Sequence, residues 1–72
     1  MSCLAYSVVP NREGWSVRHK GHLAGHWRTR SEALHAVAAL AREAYGIGND
    51  VEVSVHDPEG RPHEVRRFDH ED

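Results

Sequence analysis

Cysteine is nearly absent: Cys3 stands alone in 72 residues, so no internal disulfide can form and nothing marks an oxidising compartment. A cytoplasmic location is the expectation. Aromatic residues make up only 7% of the chain, and none is expected exposed on the central strands, where a sheet that reads RNA needs them. No apolar run approaches the roughly 18 to 20 residues of a membrane span. The opening MSCLAYSVVP lacks a charged n-region and is broken by Ser7 and Pro10, so it does not read as a signal peptide and no membrane partner is expected. A surplus of one charge is missing too. Nine Lys+Arg against eleven Asp+Glu leave a formal charge of −2, which points neither to a polyanion nor to a lipid surface by itself. Finally, no G-x-S-x-G, P-loop, G-x-G-x-x-G or H-E-x-x-H occurs, and a thiol as close to the chain start as Cys3 is poorly placed for a nucleophile. No catalytic residue and no cofactor are expected, and the chain reads as a non-enzyme.

What is present is one long helical pattern between alternating segments. Thr29 to Tyr45 carries a T-x-x-E capping box, Thr29 with Glu32. Ala33, Leu34, Val37, Leu40, Ala41 and Ala44 recur behind it at three- and four-residue spacing, one apolar stripe that needs a sheet to cover. Gly46 and Gly48 mark its exit. Before it, Leu4 to Val9 reads as a strand ended by Pro10, and Asn11 to Gly14 as a tight turn. Gly14 to Lys20 forms a second strand anchored in the core by Trp15. A short third strand is expected over His26 to Arg28, because Trp27 is costly to leave in water. After the helix, Val51 to His56 alternates without exception, and Asp57-Pro58-Glu59-Gly60 has the residues of a type I turn. The last arm, Pro62 to Phe68, is irregular: Val65 and Phe68 share no period-two face, which an edge position or a bulge between them would explain.

The chain is therefore expected to be one α+β domain, residues 1–72 with 69–72 frayed. Its architecture is a small, mostly antiparallel sheet of four to five strands, β-β-(β)-α-β-β, with one helix on one face. With Trp15, Val17, Val51, Val53 and Val55 turned to that helix, the bare face collects Ser7, Val9, Ser16, Arg18, Lys20, Glu52, Ser54 and His56. It is either an ordinary solvated face or a docking surface.

Charge is unevenly distributed along the chain. Residues 1–30 carry five basic side chains against Glu13 alone, and residues 31–72 carry ten acids against four arginines. Separate basic and acidic surfaces follow if the two halves do not interleave. Arg18, Lys20, His22, His26, Arg28 and Arg30 surround Trp27 near the helix start, combining phosphate-seeking charge with a possible stacking ring. His19, His22 and His26 are the metal candidates among seven histidines, although structural zinc sites draw ligands in tight pairs that this spacing lacks.

Tyr6-Ser7-Val8-Val9-Pro10, Gly14-Trp15-Ser16-Val17, Thr29-x-x-Glu32-Ala33, Val53-x-Val55-His56-Asp57 and Gly60-Arg61 together resemble the small bacterial proteins of domain-of-unknown-function family 2188 (DUF2188). The resemblance spans nearly the whole chain and implies a compact β-rich domain with one helix. It implies no activity, ligand or catalytic residue. The connection 46–50, the histidine- and tryptophan-rich stretch 22–27 and the last strand depart from the family pattern. Function is thus expected to lie in binding, to a protein partner or to a second copy in a homodimer through the edge at Val65 and Phe68. Nucleic-acid binding around Trp27 is the alternative.

Overall fold

The computed structural model describes residues 3–70. Three strands, β1 (Cys3–Asn11), β2 (Gly14–His19) and β3 (His22–Trp27), precede the helix α1 (Arg30–Gly46), and β4 (Asp50–His56) and β5 (Pro62–Phe68) follow it. They form one sheet in the order β3-β2-β1-β4-β5. Neighbours are antiparallel except β1 and β4, which run parallel with Leu4 opposite Val51 and Val8 opposite Val55. The two hairpins are thus joined edge to edge through the first strand of each.

Pro10 does not end β1. It pairs with Trp15 of β2, whereas pairing with β4 stops at Val8, so Pro10 has a neighbour on one side only, the setting in which a strand accepts proline. The third strand begins earlier than expected, at His22 rather than His26, and Arg28 lies outside it. Its hairpin closes through Lys20 and Gly21, both at positive φ (52° and 78°), the two-residue turn whose twist matches that of the strands it joins. Ala24 is the extra residue of a bulge that shifts the register between Val17 and Arg18. Without the bulge, Trp27 and Leu23 would share a face. With it, Trp27 turns inward opposite Trp15, and Leu23 is left 60% exposed.

The helix forms where the pattern placed it. Thr29 Oγ1 accepts from the Glu32 amide at 3.1 Å, and the Thr29 amide donates to Glu32 Oε1 at 3.2 Å, which satisfies two otherwise orphaned backbone donors. At the other end Asn49 N–H donates to Ala44 O and Gly48 N–H to Tyr45 O, with Gly48 at φ 103°. This is the Schellman closure, in which the left-handed residue is nearly always glycine. Ala33, Val37, Ala41 and Ala44 are buried, and Leu34 and Leu40 pack against them.

The core lies between this stripe and Tyr6, Val8, Val17, Val51, Val53 and Val55. Val8, Val17 and Val51 are its fully buried side chains. Trp15 and Trp27 are only partly buried at its margin, so the anchor is a set of valines rather than Trp15. Trp15, Val17, Val51, Val53 and Val55 face the helix side as expected, with the alanines letting helix and sheet approach closely, whereas Lys20, expected on the bare face at the end of the second strand, lies in the turn after β2.

Candidate functional site

One helix cannot cover five strands. Strands about 4.8 Å apart place the outer axes of a five-stranded sheet roughly 19 Å from each other, while a helix is only about 10 Å across. Here α1 lies over β4, β1 and β2 and reaches β3 weakly, which leaves β5 as an uncovered edge. Every residue of β5 is exposed, Val65 at 57% and Phe68 at 44%. The two point to opposite sides of the sheet: Phe68 pairs with Val51 and faces the helix side, and Val65 pairs with Ser54 and faces the bare side. No bulge separates them. The irregularity falls earlier, between Val55 and His56, where His63 is the extra residue. The turn before it is built as expected, with Gly60 N–H donating to Asp57 O at 2.9 Å and Asp57 Oδ1 accepting from the amides of Glu59 and Arg61.

Between α1 and β5 runs a groove of about 490 Å³. Val53 and Val55 form its floor, Leu34, Ala38, Ala41 and Tyr45 its helix wall, and Glu64, Arg66 and Phe68 its outer wall. Sequence reasoning missed it. Ala38, Arg42 and Tyr45 sit beside the buried stripe, and only the off-centre position of the helix turns that flank into a wall. Arg66 Nε donates to Glu64 Oε2 at 2.6 Å across the rim, and that hydrogen bond and the guanidinium charge hold the Glu64 carboxyl below the usual glutamate value.

The segment after β5 packs against Tyr45 of the helix wall. Of the tail expected to fray, Asp69 and His70 are anchored. The His70 ring stacks on Tyr45 at 3.9 Å, its amide donates to Asp50 Oδ1 at 2.9 Å, and its Nε2 donates to Asn49 O at 3.1 Å. Residues 71 and 72 lie outside the described residues.

The chain matches the model of a family described as "Uncharacterized protein conserved in bacteria (DUF2188)" over residues 6–68. The chain belongs to the DUF2188 family. No curated protein and no solved structure matches it.

The two halves of this DUF2188 domain do not interleave in the sheet, because β1, β2 and β3 occupy one side and β4 and β5 the other. Three of the four arginines of the second half pair with acids of the same half, Arg61 with Glu59, Arg66 with Glu64, and Arg67 with Glu52 and Asp69, and Arg42 makes no ion pair among the described residues. Among the described residues, Arg12, Arg18, Lys20 and Arg28 make no ion pair with an acid. The basic first half therefore keeps its charge uncompensated.

Its candidate residues are nevertheless dispersed. Arg18 lies on the bare face and donates to Gly21 O at 2.9 Å; Lys20 sits in the turn and Arg28 beyond the end of β3. The guanidinium of Arg30 lies 5.9 Å from the Trp15 ring centre, and its Nε is buried without a hydrogen-bond partner. Trp27 packs its ring over Gly25 and against the core while staying only partly buried, so part of the indole is already occupied within the fold. The histidines separate as well. His19 and His22 are cross-strand partners on the helix side, where His19 stacks on Tyr6 at 4.9 Å and donates from Nδ1 to Ala5 O at 3.0 Å. His26 lies opposite Ser16 on the bare side and accepts at Nδ1 from Asn11 Nδ2 at 3.0 Å. Asn11 Nδ2 also donates to Ser16 Oγ. Among the described residues, no three His, Cys, Asp or Glu side chains are gathered as metal ligands.

On the bare face Ala5, Ser7, Val9, Ser16 and Ser54 occupy the central strands, flanked by Arg18 on one side and by Glu52 with Arg67 on the other. Among the described residues, no helix is long and apolar enough to cross a membrane.

Proposed function

We propose that this DUF2188 domain is a non-catalytic binding module that engages protein, including a second copy of itself, through the β5 edge. The observation that supports this reading is the full exposure of β5 along its length, with large apolar side chains on both its faces. An edge strand presents a row of backbone donors and acceptors, and an added strand satisfies them while burying the side chains beside it. The groove next to β5 adds apolar surface on the helix side, so a strand or loop docking there gains contacts beyond the backbone ladder. A cytoplasmic setting, with Cys3 exposed and reduced, suits the same reading.

Sedimentation velocity over a hundredfold range of concentration from the low micromolar tests the self-association arm. A sedimentation coefficient that rises with concentration supports it. A single monomer species throughout removes self-association.

The segregated basic half favours a second reading, weak nucleic-acid binding through Arg18, Lys20, Arg28 and Arg30, with phosphate contacts in place of stacking. Retention on a polyanion resin at low salt that is lost in the Arg28→Ala, Arg30→Ala double variant supports this reading. Flow-through of the wild type at low salt removes it.

A further inference from the structure

Edge strands that stay single carry charges or prolines that make a second strand unwelcome. On β5 the charges are arranged differently. Val65 is the middle residue of Pro62–Phe68, Glu64 precedes it, Arg66 follows it, and both point to the helix side of the sheet opposite Val55 and Val53. An antiparallel partner of identical sequence related by a two-fold axis through Val65 would set Glu64 of each copy opposite Arg66 of the other. Shifting the axis to Glu64, Arg66 or Arg67 sets that residue against its own copy, a like-charge pair that destabilises a sheet. The register through Val65 overlaps the whole strand and opposes no like charges in its central three residues. The bulge at His63 lies outside those three.

We infer that the partner of the β5 edge is a second copy of this chain, paired antiparallel about Val65 with a Glu64–Arg66 contact made twice across the axis. This rests on the reading of β5 as the binding edge and specifies its occupant and register. The result is one ten-stranded sheet with order β3-β2-β1-β4-β5 continued in reverse. Both helices lie on the same face, because an axis normal to the sheet keeps each side chain on its own side. The groove between α1 and β5 meets its counterpart, and the two merge into one trough floored by the Glu64 and Arg66 side chains of both copies. The Glu64–Arg66 hydrogen bond that exists within one strand then becomes part of a four-residue ring of alternating charge, and Val65 packs against its copy on the opposite face.

Charge exchange tests the register separately from association itself. Glu64→Arg sets two arginines against each other at both contacts, and Arg66→Glu sets two glutamates against each other at both, so each variant alone weakens the dimer by on the order of tenfold at low salt. Mixing the two variants restores association, since the two basic side chains of one copy then face the two acidic side chains of the other. The double exchange in one chain restores it as well. Both positions are on the exposed strand, so circular dichroism and the melting midpoint of each variant serve as the folding control. Weakening in each single variant together with recovery in the mixture supports the register. Dimers that ignore all three changes, or a mixture no tighter than its components, overturn the register while leaving β5 binding in place. A wild type that remains monomeric at the highest concentration overturns the second copy as occupant together with its register, and leaves β5 to a different protein partner.

Discussion

Gly25→Ala should destabilise this domain, against the usual expectation for a glycine in a strand. In the interior of a strand, alanine is ordinarily better than glycine by roughly 0.5–1 kcal/mol, because the glycine chain loses more freedom on folding. At Gly25 an added Cβ would lie 2.3 Å from Cη2 of Trp27, 2.8 Å from Cζ3 and 3.0 Å from Cζ2. Carbon atoms in contact sit about 3.5–4.0 Å apart, so the indole must retreat by about 1.2 Å or more, and a flat ring has no flexible end to step aside. Overpacking of this kind costs about 1–3 kcal/mol, and a ring shifted outward returns apolar area to water at about 1 kcal/mol for each 40 Å². Subtracting the backbone gain leaves a net loss of about 1–2 kcal/mol, a drop of roughly 4–8 °C in melting midpoint for each kcal/mol in a domain of this size. Urea unfolding followed by circular dichroism measures it. The second half of the test is Trp27→Leu: without the indole, Gly25→Ala should become neutral or stabilising. If Gly25→Ala is as stable as the wild type, or loses the same amount with and without Trp27, the reasoning about β3 is wrong.

Lys20 holds a left-handed φ of 52°, which costs a side chain of this kind roughly 1–2 kcal/mol. Lys20→Asn, a residue that tolerates the conformation, should therefore stabilise by about 0.5–1 kcal/mol; no change in the urea midpoint would contradict the turn geometry. Thr29→Ala removes the cap and should cost about 1 kcal/mol, read as a lower melting midpoint that Thr29→Ser largely recovers. The hydrogen bond from Arg66 and then its charge lower the Glu64 pKa, so that contribution is present above the unfolded-state value and fades as pH falls through the folded one. NMR titration should place the Glu64 midpoint below the ordinary glutamate value in the wild type and raise it in Arg66→Gln; an unmoved midpoint would refute the pairing.

Several elements were legible because their causes are local. The Thr29–Glu32 box is a backbone and side-chain exchange within four residues, and Val51, Val53 and Val55 alternate because a half-buried strand has a period of two. Asp57-Pro58-Glu59-Gly60 makes its turn from its own side chains. The polar bare face was equally readable, since it follows from the same alternation. β3 was harder to read, because Gly25 and Ala24 only acquire meaning once Trp27 lies across one and the register slips at the other. The placement of His26 away from His19 and His22 has the same origin, as a single bulge reverses which residues share a side. The weakness of β5 was visible in its composition. The location of its irregularity at His63 was not, because that depends on how His56 and Pro62 meet across the hairpin.

Residue order was enough for the helix and its caps, the strand that follows it, the hairpin turn after that strand, the valine-rich face and the family. Each of these rests on contacts between near neighbours or on a repeating pattern. The parallel pairing of β1 with β4 emerges only in the assembled fold, since that contact joins segments separated by two strands and a helix. That pairing keeps the basic and acidic halves apart, seats α1 over β4, β1 and β2, and leaves β5 uncovered beside an apolar groove. The edge at Val65 is therefore a consequence of geometry: one helix is narrower than five strands, and the strand left outside is the one on which Glu64 and Arg66 stand either side of the midpoint.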